Sequence, residues 1–237
     1  MLMSKYMFEV CAADLEDVIA AIDGGADRVE LCRNLEEDGL TPDYETIKAA
    51  VGMARNAGRP FKVMVLVRSR PGDFVYTDGE KELMKRSVAD IIDLGVDGLV
   101  VGSLTPDGAV DTEWVRQITD MAHERLVSVT FHRAFDHVAD FGKALEALAE
   151  AGIDRVLTAG GKEGADKGSD TLSRLVCQAD GRIIVMPGGG VRSSNILRLR
   201  EKTGAKEYHS SCRCTSCGGH HGASLPEVRK IAQLLNE

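Results

Sequence analysis

The sequence has no run of about 18 apolar residues, the least that crosses a bilayer as a helix. Residues 1–7 lack the basic stretch, apolar run and small-residue cleavage site of a signal peptide, so a cytoplasmic location is expected. There is no excess of positive charge: Lys plus Arg is 29 against 37 for Asp plus Glu, a net charge of -8. That balance argues against any general affinity for nucleic acid or anionic membrane. Neither GxGxxG nor GxxxxGK occurs, so no nucleotide-binding motif is claimed. No linker or shift of composition divides the 237 residues, which are expected to form a single domain. With 43% apolar and 28% charged residues, disorder is excluded as the main state.

What is present is alternation. Short apolar segments rich in Val, Ile, Leu and Phe predict strands over 7–12, 28–32, 61–67, 98–102, 126–132, 155–159, 182–188 and 207–212. Helical spacing predicts helices over 14–23, 43–56, 78–94, 111–123, 141–151, 169–179, 193–202 and 224–235. Gly25-Ala26-Asp27, Gly95-Val96-Asp97 and Gly152-Ile153-Asp154 recur between helix and strand, with Gly204-Ala205-Lys206 before the last, and glycine there suits a helix C-terminal cap. Eight such units predict an α/β fold, a (β/α)8 TIM-type barrel, with an open doubly wound sheet as the alternative.

Strand side chains alternate between faces. If Phe8, Val10, Val29, Leu31, Val63, Val65, Val127, Val129 and Phe131 meet the helices, then Glu9, Cys11, Arg28, Glu30, Cys32, Lys62, Met64, Leu66, Arg68, Ser128, Thr130 and His132 point inward, joined by Glu207 and His209. The lumen is therefore expected to hold Glu9, Glu30, Lys62, Arg68, His132 and His209, as a ligand site at the carboxyl ends of the strands or as a self-neutralising ion-pair network. Glu9, Glu30, His132, Asp136 and His209 are candidates for moving protons. Arg68, Arg70, Arg133 and the Gly188-Gly189-Gly190 loop are candidates for holding an anion, by guanidinium forks and backbone N–H groups. In the blander reading, Asp136 caps a helix, Arg133 is solvated and the glycines make a tight turn.

In a reducing cytoplasm the six cysteines are expected to be thiols. Cys11 and Cys32 end neighbouring strands, close enough for two sulfurs to reach one soft cation, Cu(I) or zinc; small buried apolar residues are the alternative. Cys212, Cys214, Cys217, His220 and His221 form a Cys/His-rich segment, 212–221, whose composition is a second metal signal and which is a candidate for zinc as well as Cu(I).

At these residues the sequence resembles the CutC family of copper homeostasis proteins. The resemblance runs through Glu9-Val10-Cys11, Gly24-Gly25-Ala26-Asp27-Arg28-Val29-Glu30-Leu31-Cys32, Arg68-x-Arg70-x-Gly72-Asp73-Phe74-x-Tyr76, Thr130-Phe131-His132-Arg133-Ala134-Phe135-Asp136 and Val185-Met186-Pro187-Gly188-Gly189-Gly190. It implies a (β/α)8-type barrel and a cytoplasmic protein linked to copper tolerance, with copper bound at Cys11 and Cys32. Where the family reads His-x-Ser-Ala-Arg, this chain has His209-Ser210-Ser211-Cys212-Arg213. Two functions follow as expectations: Cu(I) binding through cysteine thiolates at the barrel mouth, or a barrel enzyme acting on a small anionic or phosphorylated substrate. The expected partners are a metal ion or small anion and further copies of the chain, with no nucleic acid and no membrane.

Overall fold

The computed structural model describes residues 6–213 and 222–237. Eight strands alternate with eight helices: β1 (Met7–Ala12), α1 (Leu15–Gly24), β2 (Arg28–Leu31), α2 (Tyr44–Arg55), β3 (Lys62–Leu66), α3 (Asp78–Asp93), β4 (Gly98–Val101), α4 (Thr112–His123), β5 (Ser128–Phe131), α5 (Phe141–Glu150), β6 (Arg155–Thr158), α6 (Ser169–Ala179), β7 (Ile184–Pro187), α7 (Ile196–Thr203), β8 (Glu207–Ser210) and α8 (Leu225–Asn236). All strand pairs are parallel, in the order β7-β6-β5-β4-β3-β2-β1-β8. The chain thus forms the expected barrel, nearly closed. At the remaining seam, between β7 and β8, Pro187 brings no N–H to a ladder. There the Ser210 hydroxyl instead donates to the Val191 carbonyl at 2.6 Å and accepts from Arg192 at 3.2 Å.

The repeated Gly-x-Asp does more than end helices. The glycines take positive φ, from 80° at Gly95 to 90° at Gly25. Each aspartate then reaches sideways to the strand before it. Asp27 accepts the Phe8 N–H at 2.7 Å, Asp97 that of Val63 at 2.9 Å and Asp154 that of Val129 at 2.7 Å. These carboxylates occupy backbone donors at the amino ends of β1, β3 and β5, one residue before each strand's pairing with the next begins. The sequence pattern was visible, but the partner strand was not.

Several predicted elements are shorter than the sequence pattern suggests. Leu126, assigned to a strand, sits at φ 59° and is 95% exposed. Cys212, assigned to the last strand, sits at φ 49°, which stops the extended run at Ser210. Ser193 and Ser194 precede α7 rather than begin it, and the Ser193 hydroxyl and N–H both bond to Glu227.

The main core lies between the outer faces of the strands and the helices, and contains Val10, Val29, Val63, Val65, Val129 and Phe131, as alternation requires. A second, small cluster of Cys11, Cys32, Met64, Leu66 and Val100 lies inside the barrel. Lys62 corrects the inward list: it is exposed, because it opens β3 at the amino end, one residue before the buried run of the strand begins. Among the described residues no helix is long and apolar enough to cross a membrane.

Candidate metal centre and the barrel mouth

The lumen is layered by charge. At its lower level Arg28 donates to Glu9 and to Glu207, each at 2.5 Å, and Arg155 donates to Glu207 at 3.0 Å. Arg155 also reaches the hydroxyls of Ser128 and Thr130, both at 3.3 Å. Two guanidiniums thus face two carboxylates, all buried, so the charges balance as a dry interior demands. The ion-pair network considered from sequence is real, but it is a floor. It includes Glu207 and Arg155, of which only Glu207 was read as inward-facing; strand parity in β6 would have found Arg155.

Above the floor stands a second group. The second Glu9 oxygen lies 2.8 Å from His209 Nδ1, and His209 Nε2 lies 3.6 Å from Glu30. Burial alone would raise the Glu9 pKa, but the Arg28 guanidinium and His209 outweigh it and hold the carboxyl at about 2. For Glu30 burial wins and lifts the pKa to about 6. For His209 burial works downward, yet the hydrogen bond with Glu9 and the charge of Glu30 raise it.

Cys11 and Cys32 adjoin this group. Strand pairing sets Cys11 opposite Glu30, and the two sulfurs are 3.9 Å apart, both buried. A ligand atom from each of Cys11, Glu30 and His209 falls within 4.8 Å of the other two. Metal–thiolate bonds of about 2.3 Å allow one ion to touch two sulfurs up to about 4.6 Å apart, so the pair is spaced to share one. The set offers two soft donors with a nitrogen and an oxygen beside them, and Met64, Leu66 and Val100 form an apolar collar. The Cys11 thiol is held well above its ordinary pKa, by its hydrogen bond with Cys32, then by burial, then by the charges of Cys32 and Glu30. Any metal must therefore displace protons on entry.

These side chains open on a cavity of about 440 Å³ at the carboxyl ends of the strands. Cys11, Glu30, Cys32 and His209 line it together with Arg68, Phe74, His132, Arg133, Gly189, Gly190 and Arg213. The remaining expected residues lie elsewhere. Arg70 binds Glu80 at 2.6 Å and Asp73 at 2.9 Å and stacks over Tyr76, so it does not join Arg68 in a two-armed grip. Asp136 accepts from Thr158, Ala159 and Gly161 and pairs with Arg133 at 2.8 Å, which fastens the short 3-10 helix Arg133–His137 to the end of β6. Gly188 packs below the mouth, where a Cβ would meet Leu157 at 2.3 Å. Cys212 is fully buried in the main core outside the lumen, with its thiol pushed up to about 12 by burial. Cys214, Cys217, His220 and His221 lie outside the described residues. Arg213 was not among the candidates, although it closes the His209–Arg213 segment already set apart in the sequence.

The family model described as the CutC family matches residues 6–214. A CutC family protein of Xylella fastidiosa (strain Temecula1) is 44% identical over 243 residues, covering 97% of this chain and 88% of its own. The copper homeostasis protein cutC homolog of Homo sapiens is 43% identical over 214 residues, 90% of this chain and 76% of its own. The crystal structure of CutC from Streptococcus agalactiae superposes with a TM-score of 0.81 at 33% identity, covering 86% of this chain and 98% of that one.

Proposed function

The chain belongs to the CutC family, and from that premise we propose that it is a cytosolic copper homeostasis protein that carries Cu(I) on the Cys11 and Cys32 thiolates at the barrel mouth. The observation that supports this most is the 3.9 Å separation of the two sulfurs, Cys11 near the end of β1 and Cys32 just past the end of its pairing partner β2, at the wall of an open cavity. Soft, polarisable sulfur selects a soft ion, and a reducing compartment keeps both thiols available. Glu30 and His209 stand next to the sulfurs as further donors, and the Glu9 carboxylate fixes the imidazole by its Nδ1 face, as outer carboxylates do for metal-ligating histidines.

The test is an anaerobic Cu(I) titration against a competing chelator. The parent is expected to take up one tightly held ion that Cys11→Ser/Cys32→Ser loses. Equal affinity in the two proteins overturns the reading.

A further inference from the structure

Arg68 is 2% exposed and heads the fully buried side chains by size. Its guanidinium donates to three backbone carbonyls, those of Glu37 at 2.9 Å, Gly39 at 3.1 Å and Gly72 at 2.9 Å, and lies over the Phe74 ring. Nε has no partner, and no carboxylate among the described residues pairs with it. The contrast with the floor is plain, since Arg28 and Arg155 are both paired with glutamate. A buried charge without a counter-ion is costly unless something else supplies one.

His132 gives a second, independent sign. Its Nδ1 accepts the Ala134 N–H at 3.0 Å, which puts the proton of the neutral ring on Nε2, and Nε2 is buried without a partner. Burial, aided by the Arg68 charge, drives the pKa down to about 3, so the ring stays neutral.

On another side of the cavity, Gly189 and Gly190 have φ of 83° and 72°. Their carbonyls are engaged, by the Ala165 N–H at 2.8 Å and by the Asn195 amide at 2.9 Å, while neither glycine N–H has a partner among the described residues. Consecutive free N–H groups in such a turn form an anion-binding concavity. The Arg133 guanidinium carbon lies 3.5 Å from where a Cβ on Gly189 would stand, so a guanidinium adjoins those amides.

We propose that the barrel mouth contains a binding site for a small oxyanion-bearing metabolite, its phosphate or carboxylate group held by the Gly189 and Gly190 N–H groups with Arg133 and Arg213, in the cavity that the buried Arg68 charge faces. A cavity of about 440 Å³ suits a metabolite rather than a macromolecule. The site uses none of the thiols and does not depend on the copper reading. It is what a barrel enzyme working on a small anionic substrate would require.

The test uses metal-free, reduced full-length protein labelled with 15N, titrated separately with inorganic phosphate and with acetate at constant ionic strength set by chloride. The Gly189 and Gly190 amide resonances are expected to shift saturably with at least one of the two, and which one identifies the oxyanion class. Arg133→Gln is expected to weaken that binding about tenfold or more, the scale of one charge-assisted contact. Arg213→Gln probes the same grip from the β8 side and replaces Arg133→Gln if that variant does not fold. Cys11→Ser/Cys32→Ser is expected to bind the anion as the parent does, because the proposed site uses neither sulfur. Absence of saturable shifts with both anions, or parental affinity in the arginine variants, overturns the proposal and leaves the copper reading untouched.

Discussion

Glu9 on β1 and His209 on β8 meet 2.8 Å apart across the strand pair that joins the two ends of the chain. One Glu9 oxygen takes the Arg28 guanidinium of the floor and the other takes the imidazole of the mouth, so a single carboxylate ties the structural layer to the candidate site. Glu9→Ala is expected to cost about 3–5 kcal/mol, because it leaves Arg28 buried with one partner fewer. Urea unfolding of parent and variant measures this. A loss below about 1 kcal/mol, the size of an exposed pair, contradicts the argument.

His132 carries a pH signature. Its folded pKa of about 3 lies below its ordinary 6.5. Between those values the unfolded chain binds a proton that the folded chain refuses, so the unfolded state gains as pH falls. The contribution of His132 to stability is complete above pH 6.5 and declines by about 1.4 kcal/mol per unit below it. His132→Asn keeps an acceptor for the Ala134 N–H and does not titrate. Stability measured at pH 7, 6 and 5 should fall less steeply in the variant than in the parent. Parallel slopes would mean that the ring titrates in the fold as it does in the unfolded chain.

The carboxylates that cross between strands are structural. Asp97→Ala leaves the Val63 N–H without its charged acceptor and is expected to cost about 2 kcal/mol, or roughly 4–8 °C in Tm for a domain of this size. Cu(I) and anion binding should be unaffected once the variant is folded. A calorimetric scan checks the first point and the titrations above the second.

Cys212 separates the two cysteine groups. It sits in the outer core, away from the cavity wall. Cys212→Ala is expected to lower stability by about 1 kcal/mol through the lost burial and to leave Cu(I) affinity at the parental value. Zinc uptake that survives Cys11→Ser/Cys32→Ser but is lost when Cys214 and Cys217 are both replaced by Ser would assign a second site to the Cys/His-rich segment. Zinc uptake unaffected by either change would remove that segment from consideration.

The sequence alone determined the repeat and the faces. A period of two in Phe8-Glu9-Val10-Cys11 and in Val29-Glu30-Leu31-Cys32 placed the acids and thiols inside, because one face of every barrel strand must meet the apolar helices. It also put Cys11 and Cys32 at strand ends, where the cavity opens. What it could not decide was who meets whom around the ring. Alternation says inward or outward and nothing about height or azimuth. Hence Arg68 and Arg70, two residues apart, read as one grip, while the fold buries the first in the mouth and gives the second to Glu80 on α3. Asp136 looked free to move protons until the end of β6 arrived with three donors for it. Glu9 and His209 are 200 residues apart in the chain, and only closure of the barrel, which lays β8 against β1, brings them within hydrogen-bond reach.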